Sequence, residues 1–277
     1  MQPSAEDKGF AWQVGVWDRM AQPYEREVDR RFAGVVEGVV QRARLQPGEQ
    51  VLDLGTGTGA VAVQAASIVG AAGHVTGVDI SGEMLALARQ RAAALGLRNV
   101  TFREGRAEAI PADAASCDVL LASLSLMYVI DRAAAAREIA RVLRPGGRLI
   151  AAVWSGPADC DIVQFQQTAG SFAPAPPVAG VGPGALADTR PFRAQLADAG
   201  VEARVETEVL GFDFEDFESA WAILAGVTTA ALAPERREEA KAAVRGLMWP
   251  GGDGPRHFRN TTQFIVGTAG SGRQAAT

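Results

Sequence analysis

The densest chemistry in the chain sits in one short run, Val51-Leu52-Asp53-Leu54-Gly55-Thr56-Gly57-Thr58-Gly59. An apolar stretch enters a turn with glycine at every second position, and a second apolar stretch leaves it. Glycine admits positive φ and puts no Cβ between backbone and ligand. A helix starting at such a turn aims unpaired N–H groups outward. Asp79 stands 20 positions past Gly59, where a strand-end carboxylate can accept both hydroxyls of a ribose. This is the pattern of a nucleoside-binding turn. It leaves the ligand open, because Gly55, Gly57 and Ala60 also satisfy the dinucleotide form G-x-G-x-x-A.

Asp53 narrows the choice. A carboxylate two residues before Gly55 sits badly beside a pyrophosphate and well beside an ammonium group. The elements around it alternate as a parallel sheet with crossover helices requires. Strands are predicted at 50–54, 74–79, 100–104, 117–123 and 148–154, with helices at 59–67, 82–95 and 133–143. Residues 51–54 and 119–121 are nearly all apolar, as strands covered on both faces should be. The first 46 residues carry Trp17, Met20, Val28 and Phe32 at helical spacing, and Pro47-Gly48 ends that region. Beyond Trp154 a Pro/Gly-rich stretch surrounds one amphipathic segment, 162–172. A helix at 191–199 ending at Gly200, a strand at 201–212, helical residues 215–247 broken at Pro234, and a strand at 258–267 complete the pattern. These two late strands take the place where many dehydrogenases carry a separate catalytic domain.

Bulk properties exclude several classes. The 277 residues are 48% hydrophobic and 21% charged, ordinary for a globular protein. No apolar run approaches the length of a membrane span, and residues 1–7 lack the features of a secretory signal. Two cysteines, Cys117 and Cys160, make neither a disulfide framework nor a metal site. A cytoplasmic location is expected. The net charge of −5, with Arg26, Arg30 and Arg31 interleaved among Glu25, Glu27 and Asp29, argues against nucleic acid as a partner.

From about Leu45 to Trp154 the chain resembles class I S-adenosylmethionine-dependent methyltransferases, in particular the small-molecule group similar to ubiquinone/menaquinone-biosynthesis enzymes. VLDLGTGTG, VTGVDISGEMLALAR and SLSLMYVIDRAAAAREIARVLRPGGRLIAAVW carry the resemblance. It implies an α/β fold: a Rossmann-like, seven-stranded, mostly parallel sheet with helices on both faces and a helical cap. The expected organisation is an N-terminal cap over 1–46, a methyltransferase domain over 47–267 and a disordered tail over 268–277. Within the domain, the cofactor core is 47–154 and the cap insertions are about 155–188 and 213–250.

The resemblance also implies a set of S-adenosylmethionine contacts: Gly55, Thr56, Gly57, Gly59, Met84 and Ser123, with Asp53 toward the amino group, Asp79 on the ribose and Ile80 against the adenine. Asp79 as a cap of the following helix is the alternative, although Ser81 stands better for that task. At Arg106 the chain departs from the family, where an acidic residue commonly receives the adenine amino group. An arginine cannot accept that bond, so backbone groups of Arg106 and Ala107 must serve, and Glu108 is as readily structural. Ser123-Leu124-Ser125-Leu126 replaces the Asn/Asp-Pro-Pro-aromatic motif of enzymes that methylate nucleic-acid amines. Met127 and Tyr128 line the acceptor pocket or belong to the core. Asp131 is expected to cap the next helix.

Methyl transfer needs alignment and dryness, and a base only if the acceptor must lose a proton. His74 lies at the wrong end of its strand, which leaves His257 as the catalytic candidate if residues 250–255 fold over the pocket. Trp12, Trp17, Tyr24, Phe217, Trp221 and Trp249 supply the cap with aromatics. Tyr24 is the candidate lid over the cofactor, and Trp17 and Trp221 are candidates for acceptor contact. The expected activity is O- or C-methylation of a small, fairly apolar acceptor such as a quinone-like molecule, a polyketide or another specialised metabolite. Retaining fold and cofactor for another reaction, such as a cyclisation, is the alternative, followed by an NAD-dependent oxidoreductase. Monomer and homodimer both stay open, and no metal is expected.

Overall fold

A computed structural model describes residues 5–230 and 232–271. Helix α1 (Ala5–Pro23) continues into a π-helical turn at Tyr24–Val28, followed by α2 (Asp29–Arg31) and α3 (Ala33–Ala43). The alternating half comprises β1 (Gln50–Leu54), α4 (Ala60–Val69), β2 (His74–Asp79), α5 (Gly82–Ala94), β3 (Val100–Glu104), β4 (Cys117–Ser123), α6 (Arg132–Val142) and β5 (Leu143–Trp154). Then come α7 (Asp161–Gly170), α8 (Arg190–Asp198), β6 (Val201–Phe214), α9 (Phe217–Leu224), α10 (Gly226–Thr229), α11 (Pro234–Met248) and β7 (Arg256–Ala269). The seven strands form one sheet in the order β3-β2-β1-β4-β5-β7-β6. The first five run parallel, and β7 lies antiparallel between β5 and β6.

The helix starts follow their chemistry. Ser81 Oγ accepts from Met84 N at 3.1 Å and donates to Asp18 at 2.6 Å, so one hydroxyl caps α5 and ties α1 to it. Asp131 caps α6 through Ala134 N at 2.9 Å. Strand β5 begins earlier than its apolar run. Leu143 pairs with Cys117, the Arg144–Gly147 turn bulges outward, and pairing resumes with Arg148 opposite Val119. Arg144 holds this bulge by an ion pair to Asp118 at 2.5 Å.

The end of the sheet also departs from expectation. β7 reaches Ala269, which pairs with Val201, and Gly270 N donates to Gly200 O at 2.9 Å. Thr268 and Ala269 are therefore sheet, not tail, because β6 offers a partner all the way to its first residue. The remainder of the expected tail, from 272 on, lies outside the described residues.

β5 stops at Trp154, opposite Thr262, whereas β6 and β7 stay paired from there to Phe214 and Arg256. The hairpin so projects past the sheet as a two-stranded ribbon, and a ribbon that long needs something to bury its apolar face. Phe258, fully buried, receives Phe214 at 4.9 Å, Trp249 at 5.7 Å and Phe165 at 6.3 Å between ring centroids. These rings join β6, β7, α7 and the end of α11 into one cap. Truncating Phe258 to alanine should cost about 3–5 kcal/mol, measured by chemical denaturation; a loss below about 1 kcal/mol would show that the ribbon does not anchor the cap.

Candidate active site

The strand order reverses at β1, whose neighbours are β2 on one side and β4 on the other. In an open α/β sheet that switch point leaves a crevice beyond the carboxyl ends of the strands. A cleft of about 1140 Å³, counted with its open mouth, lies there. Its floor is Asp53 to Thr58, one wall is Asp79, Ile80 and Met84, and the other is Ser123 to Leu126. Phe10, Gln13, Trp17 and Tyr24 of the N-terminal region complete its rim.

The glycine turn is built around close approach. Gly55 has φ +71°, and a Cβ there would stand 2.3 Å from Ser125 Cβ. Ser125 in turn donates from Oγ to Leu54 O at 2.7 Å, locking β1 to the chain after β4. Gly57 has φ +53° and open space where its Cβ would be. Gly59 serves a different purpose from the expected ligand contact. It does not line the cleft; its φ is +82°, and a Cβ would come within 3.0 Å of Ala88, so it allows α4 and α5 to pack.

Two carboxylates end adjacent strands. Asp79 is buried and accepts from Gly57 N at 2.8 Å and Ser81 N at 2.9 Å. Burial raises its pKa, with the backbone bonds opposing. Each oxygen retains further lone-pair capacity for a ligand hydroxyl. Asp53, 1% exposed, accepts from Thr56 Oγ1 at 2.6 Å through Oδ2. Its other oxygen, Oδ1, is buried with no hydrogen-bond partner among the described residues. Burial pushes this carboxyl up to about 7, with the Thr56 bond opposing and Asp79 adding to the rise. Such an oxygen leaves hydrogen-bonding capacity unmet in a buried position.

Sequence reading named most of the remaining lining. Tyr24, Thr56, Ile80, Met84, Arg106, Ala107, Ser123, Trp17 and Tyr128 all border the cleft. Tyr24 lies in the π-helical turn, a local widening common at functional positions. Trp17 stands edge-on to Tyr128 at 4.9 Å and to Tyr24 at 6.4 Å. Burial holds both phenols well above the ordinary tyrosine range. Arg106 places its guanidinium 5.5 Å from the Phe10 ring. Glu108 accepts from Ile130 N at 3.0 Å and Asp131 N at 3.2 Å, a structural role.

Three candidates lie elsewhere. His257 sits on the exposed outer part of the ribbon, bonded to Asp213 at 2.8 Å, because β7 pairs it with β6 rather than folding the preceding loop inward. Trp221 packs against Phe165 at 6.0 Å and Phe217 at 6.1 Å in the cap interior. Met127 is 2% exposed and borders a smaller inner compartment, not the cleft. Trp249 and Phe217 join the cap interior, and Trp12 is exposed.

Residues that sequence reading missed close the site from afar. Gln13 Nε2 donates to Tyr128 O at 2.7 Å, drawing α1 onto the chain after β4. Asp29 lines the cleft, accepts from Thr58 Oγ1 at 2.8 Å and pairs with Arg91 of α5. No local pattern marks partners so far apart in the chain.

The family model for a methyltransferase domain matches residues 45–168. Residues 45–168 are thus similar to a methyltransferase domain. The chain is 37% identical over 149 residues to the ubiquinone/menaquinone biosynthesis C-methyltransferase UbiE of Shewanella woodyi, covering 52% of this chain and 59% of that protein. The same-named protein of Vibrio vulnificus is 39% identical over 113 residues, covering 40% and 44%. The similarity to these relatives thus spans less than two thirds of their length. Among solved structures, the YcgJ protein of Bacillus subtilis matches with a TM-score of 0.64 at 20% identity, over 87% of this chain and all of that one. The cyclase SpnF matches with a TM-score of 0.57 at 23% identity, over 88% and 81%. Both likenesses are likenesses of fold. The matched segment ends inside α7, whereas the fold likeness to YcgJ continues over 87% of the chain.

Gly55 and Gly57 separate fold from binding. Gly55→Ala meets both the left-handed penalty of about 1–2 kcal/mol and the Ser125 collision, so it should lose about 2 kcal/mol or more. Gly57→Ala should lose only about 1 kcal/mol while placing a methyl group in the cleft. Equal losses by denaturation would show that the Gly55–Ser125 approach is not a constraint.

Proposed function

We propose that the protein transfers the methyl group of S-adenosylmethionine to a small, neutral, fairly apolar acceptor. The observation that carries this is Asp53 Oδ1, buried at the cleft floor without a partner. A dinucleotide would bring phosphate to that end of the turn, where a second negative charge is repelled; the ammonium of a methionine moiety supplies what the oxygen lacks. Asp79 would hold ribose hydroxyls, with its orientation already fixed by Gly57 and Ser81. Ile80 and Met84 offer an apolar surface for an adenine, and backbone groups of Arg106 and Ala107 would take its polar edge. The bound cofactor supplies an electrophilic methyl carbon, so the protein's part is alignment and exclusion of water.

Residues 47–154 would then hold the cofactor, and the cap segments would enclose the acceptor. Among the described residues no histidine or cysteine borders the cleft, and Tyr24 and Tyr128 are held as neutral phenols. That inventory favours acceptors that need no strong base, such as an activated carbon. The names of the UbiE relatives agree with a carbon acceptor. We place the protein in the cytoplasm, without a nucleic-acid partner; no helix among the described residues is long and apolar enough to cross a membrane. The lack of a base also favours a second reading, in which the pocket shapes a reaction with no methyl transfer. Transfer of label from methyl-labelled S-adenosylmethionine to an extract of candidate acceptors separates the two: label in product supports the first, and cofactor retained without transfer supports the second.

The Asp53 assignment has a pH signature. Its raised pKa means that its contribution to stability is fully present below the ordinary carboxylate range and is lost as pH rises through about 7. The Asp53→Asn variant should show a shallower fall over that window. Binding should go the other way, since only the ionised carboxylate holds an ammonium. Affinity for S-adenosylhomocysteine should strengthen with rising pH, by up to about tenfold per unit below 7, and Asp53→Asn should weaken it and abolish the dependence. A pH-independent affinity in calorimetry would remove Asp53 from the ligand's amino group.

A further inference from the structure

Beside the cleft lies a second compartment of about 430 Å³, counted with its open mouth and bounded on one side by the cap. Trp17, Tyr24, Phe32, Leu124 and Tyr128 border both spaces and so form the partition between them. The two sides differ in chemistry. The cleft carries Asp29, Asp53, Asp79, Arg106 and Glu108, whereas the inner compartment has no charged side chain among its lining residues. Its far wall comes from Ile162 and Gln166 of α7, one helical turn apart, and from Ile223 and Leu224 of α9.

Gln166 does not belong in that company. It is 7% exposed, and the other buried residues of α7 are Ile162, Val163, Phe165 and Ala169. It borders the compartment, and its amide makes no hydrogen bond to another described residue. A buried amide without a partner is destabilising, and an aliphatic side chain of similar size would serve packing better. The group can donate to a carbonyl and accept from a hydroxyl at one place.

We infer that the inner compartment is the acceptor subsite and that Gln166 anchors a carbonyl or hydroxyl oxygen at the end of the acceptor remote from the cofactor. The inference rests on the methyltransferase reading for the word acceptor, but not for the subsite itself. The compartment then selects a neutral molecule with an apolar body, which must reach the cleft past the Trp17–Tyr24–Tyr128 partition. Charged acceptors are refused, because nothing inside would replace their lost hydration.

The test uses 2-naphthol and naphthalene as probes, measured by equilibrium dialysis against the full chain, with S-adenosylhomocysteine binding followed separately. The unaltered protein should bind 2-naphthol about tenfold more tightly than naphthalene. In Gln166→Leu, and in Gln166→Met as a second variant should the first fold poorly, that gap should close to about twofold. Naphthalene and S-adenosylhomocysteine affinities should stay unchanged and thermal stability should not fall. A gap that persists in the variants overturns the role of Gln166, and failure of both probes to bind the unaltered protein overturns the subsite. If S-adenosylhomocysteine does not bind while the naphthol preference follows Gln166, the cofactor reading fails and the subsite stands.

Discussion

The contact between Gly55 and Ser125 is the constraint on which the site depends. It brings the end of β1 against the chain leaving β4, and the Ser125 hydroxyl seals that approach by bonding to Leu54. With the two strand ends fixed, Asp53 is carried below the turn and Asp79 beside it, both out of water. Neither carboxylate forms an ion pair with a cationic side chain among the described residues; burial is the first cause of both raised pKa values. A fold does not retain two such groups for stability, since removing a charge from water is expensive. Their placement makes sense as preorganisation for a ligand that brings a positive charge and hydroxyl groups.

The cap is a consequence of a second geometric fact, the mismatch between a short β5 and a long β6–β7 hairpin. Past Trp154 the ribbon has no neighbour in the sheet, and its phenylalanines gather α7, α9 and α11 around Phe258. The same packing sets α7 so that Ile162 and Gln166 look inward across the partition. On the proposed reading, acceptor recognition therefore depends on strand pairing far from the glycine turn.

How much of this was legible in the sequence follows from where the information resides. β1 to β4 begin and end where their apolar runs do, because a strand buried on both faces has no polar alternation to blur its limits. The carboxylates and most of the turn were legible for the same local reason. Gly59 was misassigned because a glycine needed for ligand approach and one needed for helix packing look identical in sequence. His257 and Trp221 were misplaced because their surroundings are set by ribbon pairing across more than 40 residues, as in Asp213 with His257. Gln166 was invisible among Gln164 and Gln167 on one amphipathic segment; only the packed helix shows which amide points inward.

The acid–base inventory closes the physical account. Tyr24 and Tyr128 occupy the position between cofactor cleft and inner chamber, yet burial keeps their protons in place, and Asp29 and Asp79 add to the rise at Tyr24. A neutral phenol there can donate a hydrogen bond to an acceptor oxygen but cannot draw a proton from it. The residues thus steer and desolvate where a base would deprotonate. On the proposed reading, reactivity must come from the acceptor itself, a condition met by electron-rich carbons. A chamber without charge, a hydrogen-bonding amide at its far wall and neutral phenols at its door form a consistent set. Each feature favours the same kind of molecule, apolar in its body and polar at its ends.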